Sequence, residues 1–388
     1  MVNPSTSLVR SISRAVYAES LLVNHPLCFV VNPRAGKGKC QRFANELEDV
    51  FRMFSHSRVL PKPVRFLETN RDPSLRVKLL ADAIAREGNP ILVGLGGDGT
   101  TAILAEAHLK AKELGHPSIV IPGGGGTAGD MRRELGAPNW KGDAELYARS
   151  LLKFLSVAKP IELNAFEAAC CDQTRTIIHS LGLGFSGGLF DTVDKIRDDN
   201  LIGVPTYLKA LFLRLFQTSS FYVSINDSSP LKAAEVLMLA NSTIIGSVAT
   251  LPLKANTARV HVVPADASLL LTTGVAPLVE TLFRSLFYFM GFTQAINPNS
   301  ELSLLSHDRM FDIGRGESLS LKFLNNLGER TFVKGISNGD PIRADIDSME
   351  ISWKNTVNSL ALPGSRFMYR HLEHRLLSGQ TPKMFPPA

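Results

Sequence analysis

A chain of 388 residues, 44% hydrophobic and 20% charged, carries enough apolar side chain for two buried cores and too little charge for extended disorder. Four cysteines, Cys28, Cys40, Cys170 and Cys171, form no Cys-x-x-Cys pair, which excludes a disulfide scaffold or structural zinc and fits reduced thiols in a cytoplasmic setting. The net charge of +6 suits a polyanionic ligand or peripheral contact with an anionic membrane, but aromatic residues do not interleave with basic ones, so nucleic acid is not an expected partner.

Residues 1–24 read as a tail. Arg10 and Arg14, with Leu8, Ile12, Ala15 and Val16 on one helical face and no acidic residue before Glu19, give a weak resemblance to a mitochondrial presequence; a solvated terminus explains the same pattern. Short apolar runs then alternate with helical periodicity. Pro26–Asn32, Val64–Leu67, Ile91–Leu95 and Ser118–Ile121 read as strands, and Lys39–Met53, Leu75–Arg86 and Thr101–Leu114 as helices. Strand, loop and helix in repetition, with buried strands, predict an α/β domain with a parallel sheet over residues 25–160.

Beyond residue 160 the pattern changes to short, often alternating strands: Ile161–Cys170, Arg175–Leu183, Phe221–Ile225, Ala234–Ala240, Arg259–Val263, Leu319–Leu324, Thr331–Ile336 and Met349–Trp353. Residues 161–360 are therefore expected to form an antiparallel β-sandwich domain. Val204–Phe216 and Val275–Phe292 are amphipathic and interrupted by charge, too short or too polar to span a bilayer, which needs about 20 apolar residues. Residues 361–388 contain a basic helix over 365–378 that is expected to pack back on the first domain.

The chemistry concentrates in three glycine loops, each following a predicted parallel strand: Asn32-Pro33-Arg34-Ala35-Gly36-Lys37-Gly38, Gly94-Leu95-Gly96-Gly97-Asp98-Gly99-Thr100, and Pro122 through Gly126-Thr127-Ala128-Gly129-Asp130. Ligands of such sheets bind at the carboxyl ends of the strands, where glycine lets backbone amides approach phosphate oxygens. None of the loops is G-x-x-x-x-G-K-[ST] or G-x-G-x-x-G. Lys37 and Lys39 are within reach of phosphates or simply solvated. Asp98 repels bare phosphate, so it makes sense as a holder of a magnesium-bound water, as a base toward a hydroxyl, or as a cap on the helix entered at Thr100.

Gly96-Gly97-Asp98-Gly99-Thr100 resembles the GGDGT motif of the diacylglycerol kinase catalytic domain family, which takes in sphingosine kinases and bacterial soluble lipid kinases and is distantly similar to NAD kinases. Asn32-Pro33 with Gly36 and Gly38 is similar to its opening NP-x-x-G-x-G loop. Gly126-Thr127, Asp130, Arg133 and Gly136 resemble its third motif, and Gly182 to Gly187 its G-x-G-F stretch. The resemblance implies an ATP-binding α/β domain, a β-sandwich domain for the lipid, and transfer of the γ-phosphoryl group of ATP to a lipid hydroxyl such as that of diacylglycerol or a sphingoid base. It implies ATP and Mg2+ as cofactors. It implies Asn32, Gly36, Gly38, Gly96, Gly97, Asp98, Gly99, Thr100, Gly126 and Thr127 as phosphate contacts, and Asp98, Asp130 and Asp340 as candidate catalytic carboxylates. Metal ligands and a homo-oligomeric state stay open.

Three departures stand out. Ile103 occupies the place where the family carries Glu, Gly129 stands where Asn is usual, and Asn338-Gly339-Asp340 replaces D-G-E, whose Asp serves as general base. An amide cannot accept that proton, so the base falls to Asp340 or Asp98, or the chain is a weak or inactive nucleotide- or lipid-binding relative. Asn-Gly is also a strong hairpin-turn signal. An enzyme of the NAD-kinase type, acting on a soluble hydroxyl, is the further alternative.

Overall fold

The computed structural model describes residues 21–36, 38–56, 64–69, 73–125, 129–140, 142–170, 173–184, 187–188, 192–193, 195–196, 206, 209–210, 220–242, 244–245, 249–250, 257–264, 310–338 and 340–377. Two compact units divide the chain, Met1–Leu163 with Asn355–Ala388, and Asn164–Lys354. Among the described residues no helix is long and apolar enough to cross a membrane. The tail through residue 18 and the amphipathic stretch 275–292 lie outside the described residues, and 204–216 is described only at Thr206, Lys209 and Ala210.

The first unit begins with a short helix, α1 (Leu21–Asn24), and then alternates strand and helix. The order is β1 (Leu27–Val31), α2 (Lys39–His56), β2 (Arg65–Glu68), α3 (Pro73–Glu87), β3 (Ile91–Gly96), α4 (Asp98–Glu113), β4 (Ile119–Gly125), α5 (Asp130–Leu135) and α6 (Ala144–Val157). The strands pair in parallel in the order β2-β1-β3-β4. Both faces of β1 and β3 are covered, which is why they read as unbroken apolar runs. On one face Phe29, Val31, Val93 and Leu95 meet Phe43, Leu47 and Phe51 of α2 and Tyr147, Leu151 and Leu155 of α6. On the other face α4 lies so close to β3 that a side chain at Gly94 would strike Leu104.

Helix α6 was not expected from the sequence. Its signal is legible in retrospect: Asp143 caps it, accepting from the Leu146 amide at 2.8 Å, and Tyr147, Ala148, Leu151, Leu152 and Leu155 recur at helical spacing. Helix α4 starts at Asp98 rather than the expected Thr101, because Gly97 supplies the extended N-cap residue.

The chain leaves the first unit within β5 (Lys159–Cys170). The second unit continues with β6 (Gln173–Ile177), β7 (Ser180–Gly184), β8 (Phe221–Ile225), β9 (Leu231–Leu239), β10 (Ile244–Ile245), β11 (Ala249–Thr250), β12 (Ala258–Pro264), β13 (Met310–Ile313), β14 (Ser318–Leu324), β15 (Val333–Ser337) and β16 (Asp340–Ile346). It ends in β17 (Ser348–Ala361), whose last residues return to the first unit, where α7 (Arg366–Leu377) closes the described chain. Pairing within the second unit is antiparallel. Alternation does the work: Leu319, Leu321 and Phe323 of β14 point inward beside Val223 and Ile225 of β8 and Met349 and Ile351 of β17. These residues share one core with Leu181 and Leu183, Val236 and Met238, and Val260 and Val262 of β7, β9 and β12.

The sequence reading ran Arg175–Leu183 as one strand; the structure breaks it at Ile178 and His179 into β6 and β7. It also ended the last strand at Trp353, whereas β17 continues to Ala361.

Two fully buried histidines, His108 and His261, contribute to the acid sensitivity of the fold. His108 of α4 accepts from the Ser118 amide at 3.3 Å through Nδ1, while its Nε2 and both ring nitrogens of His261 in β12 find no hydrogen-bond partner among the described residues. Burial, with Lys112 near the first and Arg259 near the second, lowers each pKa from 6.5 to about 4. The folded chain therefore keeps both rings neutral while the unfolded chain protonates them below pH 6.5. The stability they contribute is complete above pH 6.5 and falls as pH drops toward 4, by on the order of 3 kcal/mol per ring. Urea midpoints measured from pH 7 to 4 should show this fall, and His261→Leu should flatten the slope. An unchanged slope would mean that His261 is not the titrating group.

Candidate nucleotide site

The loops at the carboxyl ends of β1, β3 and β4 are tied together by the backbone and by polar side chains. The Asn32 amide donates to Leu95 O at 3.0 Å, and Asn32 Nδ2 donates to Thr100 Oγ1 at 3.2 Å, joining the first loop to the first turn of α4. That turn packs directly on Gly96: a Cβ there would lie 2.1 Å from Thr100 Oγ1. The third loop is reached through a register shift between β3 and β4, after which Gly96 faces Gly125. Tyr147 Oη donates to Gly123 O at 2.9 Å, and the Trp140 indole lies against Gly125. The Gly125 carbonyl approaches Gly36, so the first and third loops also meet. Trp140 and Tyr147 are the residues the sequence offered no sign of, since neither belongs to a glycine loop: Tyr147 lies on α6 and Trp140 in the segment that leads to it.

Helix α4 begins without a side-chain cap; its N-cap is Gly97. The Thr100 amide already donates to Gly97 O at 3.0 Å, and it is the amides ahead of it, at Asp98 and Gly99, that a helix start leaves for an acceptor such as a phosphate oxygen. The Asp98 side chain does not cap its own helix. It crosses to the next one, accepting from the Asp130 amide at 3.1 Å and the Met131 amide at 3.3 Å, and so caps α5. The expected cap on the helix entered at Thr100 is thus corrected: Asp98 is 9% exposed and holds the end of the next helix instead. Its carboxylate lies within 4.8 Å of that of Asp130, which is 1% exposed and has Arg133 Nη1 at 3.7 Å from Oδ1. Two buried carboxylates at this distance are hard oxygen donors that fit Mg2+. Gly129, the N-cap of α5, has φ 61°, a conformation open to Gly or Asn, so the departure from the usual Asn keeps the backbone path.

Asn32, Gly36, Gly96, Asp98, Thr100 and Asp130 are thus gathered at one edge of one sheet, with Gly38 behind them accepting from the Arg42 amide, and Gly97 and Gly99 flanking Asp98. Lys39 is exposed at the start of α2. Lys37, Gly126, Thr127 and the side chain of Asp340 lie outside the described residues.

In the second unit, Asn338 is 3% exposed at a left-handed φ of 50° and every arm of its carboxamide is engaged. Oδ1 accepts from the Ile178 and His179 amides at 3.1 and 3.0 Å, while Nδ2 donates to Thr176 O at 2.7 Å and Ser337 Oγ at 3.1 Å. Asn338 is the staple that breaks Gln173–Gly184 into β6 and β7 and fixes the turn between β15 and β16.

Residues 26–159 match the model of the diacylglycerol kinase catalytic domain. No curated protein is a significant match to the chain. In fold, the chain is similar to a diacylglycerol kinase of Bacillus anthracis str. Sterne, with a TM-score of 0.51 and 15% identity over 87% of this chain and 97% of the other. A second structure from that organism, described as a candidate diacylglycerol kinase, gives a TM-score of 0.54 at 15% identity, over 87% and 98% of the two chains. Family match and fold agree with the loop sequences and with the parallel β2-β1-β3-β4 sheet, and it is residues 26–159 that carry the match to the catalytic domain of these kinases.

Proposed function

We propose that the chain transfers the γ-phosphoryl group of ATP to the hydroxyl of a lipid, diacylglycerol or a sphingoid base. The observation that carries the reading is the uncapped N-terminus of α4 in a glycine turn, with Asp98 aimed away from it toward Asp130. The α4 amides would hold phosphate oxygens, and Asp98 and Asp130 would hold Mg2+, which when bound neutralises phosphate charge. Catalysis of this kind is positioning and charge stabilisation, which rigid amides and buried carboxylates supply. In the transfer, the bond from the γ-phosphorus to the β,γ-bridging oxygen breaks, a bond to the lipid oxygen forms, and the hydroxyl proton passes to a base. Asp98 is the base in this reading, with Asp340 the other candidate.

The fully engaged amide of Asn338 favours a second reading, a slow or inactive relative that binds nucleotide, since this position cannot serve as base. Purified protein with labelled ATP, magnesium, a panel of lipid alcohols and NAD separates the readings. A labelled lipid supports the first, labelled NAD points to a soluble acceptor, and nucleotide binding without any transfer supports the second.

Gly96→Ala tests the loops directly. The methyl group would displace the Thr100 hydroxyl and break its bond with Asn32, so affinity for an ATP analogue should fall about tenfold in calorimetry, the loss of one good hydrogen bond. Unchanged affinity would place the nucleotide elsewhere.

A further inference from the structure

The last helix reaches the core of the first unit through one charge pair. Glu134 of α5 is fully buried, and Arg370 of α7 donates to its Oε1 from Nη2 at 2.5 Å. Arg370 lies over the ring of Phe367, 5.7 Å from its centroid, and Phe367 is itself buried. A backbone bond runs alongside, from the Leu362 amide to Leu135 O at 3.0 Å. The opposite end of α5 carries the Asp130 and Met131 amides that grip Asp98.

We infer that Arg370 is a positioning residue of the phosphoryl-transfer site: by holding Glu134 it fixes α5, and through the first amides of α5 it sets the carboxylate of Asp98. Helix α5 has six residues, a rod of about 9 Å, so its two ends cannot move independently. A buried ion pair is a poor source of stability compared with apolar packing, yet losing one partner leaves a buried charge that must move. What the pair does supply is a directed contact that fixes the rotation of α5. The inference rests on the kinase reading only for its turnover measurement.

The test compares Arg370→Met, Arg370→Lys, Glu134→Leu combined with Arg370→Met, and Tyr369→Ala as a control on the exposed face of the same helix. Hydrogen exchange at the Asp130 and Met131 amides and steady-state transfer are both measured, per folded molecule. Arg370→Met should accelerate exchange at these amides and lower kcat, by up to about 10²-fold for a misplaced carboxylate, with KM for ATP little changed because the α4 amides are untouched. Arg370→Lys should recover part of the loss, and Tyr369→Ala should match the wild type. If Arg370→Met does not fold, the apolar double variant, free of buried charge, carries the same expectation. A lower melting temperature with unchanged exchange and kcat would overturn the inference and leave a merely structural pair. If the wild type transfers phosphate to no acceptor, the kinase reading falls, and the exchange at Asp130 and Met131 still decides whether Arg370 holds α5.

Discussion

Asp98→Asn should abolish most phosphoryl transfer while costing little stability. The substitution keeps the size of the side chain and removes its charge, and with it both the hard donor beside Asp130 and the base proposed above. Loss of general-base help alone is worth about 10²–10⁴ in rate. The structural cost is that of a capping bond. Asp98 accepts from two amides of α5, and an amide side chain can accept from one while turning its NH2 toward the other, a loss of about 1 kcal/mol. Thermal melts and steady-state kinetics on the same preparation separate the two effects. A variant that melts lower but turns over at the wild-type rate would reduce Asp98 to a cap.

Asn338→Asp should destabilise the second unit rather than create an active base. The carboxylate would keep the Ile178 and His179 amides as donors but place an oxygen against Thr176 O, where Nδ2 now donates at 2.7 Å. A buried carbonyl left unpaired and facing a charge costs roughly 2–4 kcal/mol. Restoring the family's D-G-E with Asn338→Asp and Asp340→Glu is on sequence grounds a gain of function; the staple predicts that any gain is read from a less stable protein. Urea unfolding checks the cost and transfer assays the gain. Wild-type stability in Asn338→Asp would mean that the amide arm toward Thr176 contributes nothing.

The elements legible in the sequence are those whose burial is uniform or strictly periodic. β1 and β3 are covered on both faces, and α2 buries Phe43, Leu47, Val50 and Phe51 at helical spacing, so their positions follow from composition alone. The glycine loops were legible for a similar reason, since glycine after a buried strand has few structural uses. What stayed hidden depends on partners distant in sequence. No local pattern shows that Asp98 caps a helix starting at Asp130, that Asn338 splits a strand more than a hundred residues earlier, or that Arg370 finds Glu134. The continuation of β17 to Ala361 was missed because its second half takes its register from β4, where Ser359 pairs with Val120.

The return of the chain to its first unit sets the timing of synthesis. The glycine loops emerge from the ribosome early, but β4 gains its outer neighbour only when Ser359 appears, and the bond between Arg370 and Glu134 forms only after that. Between them lies the whole of Asn164–Lys354, roughly 10–40 s of translation at about 5–20 residues per second. Throughout that interval the nascent first unit holds an open strand edge, and Glu134 lacks its bond to Arg370. The intervening unit can complete its own core first, so the segment made first is the last to become native.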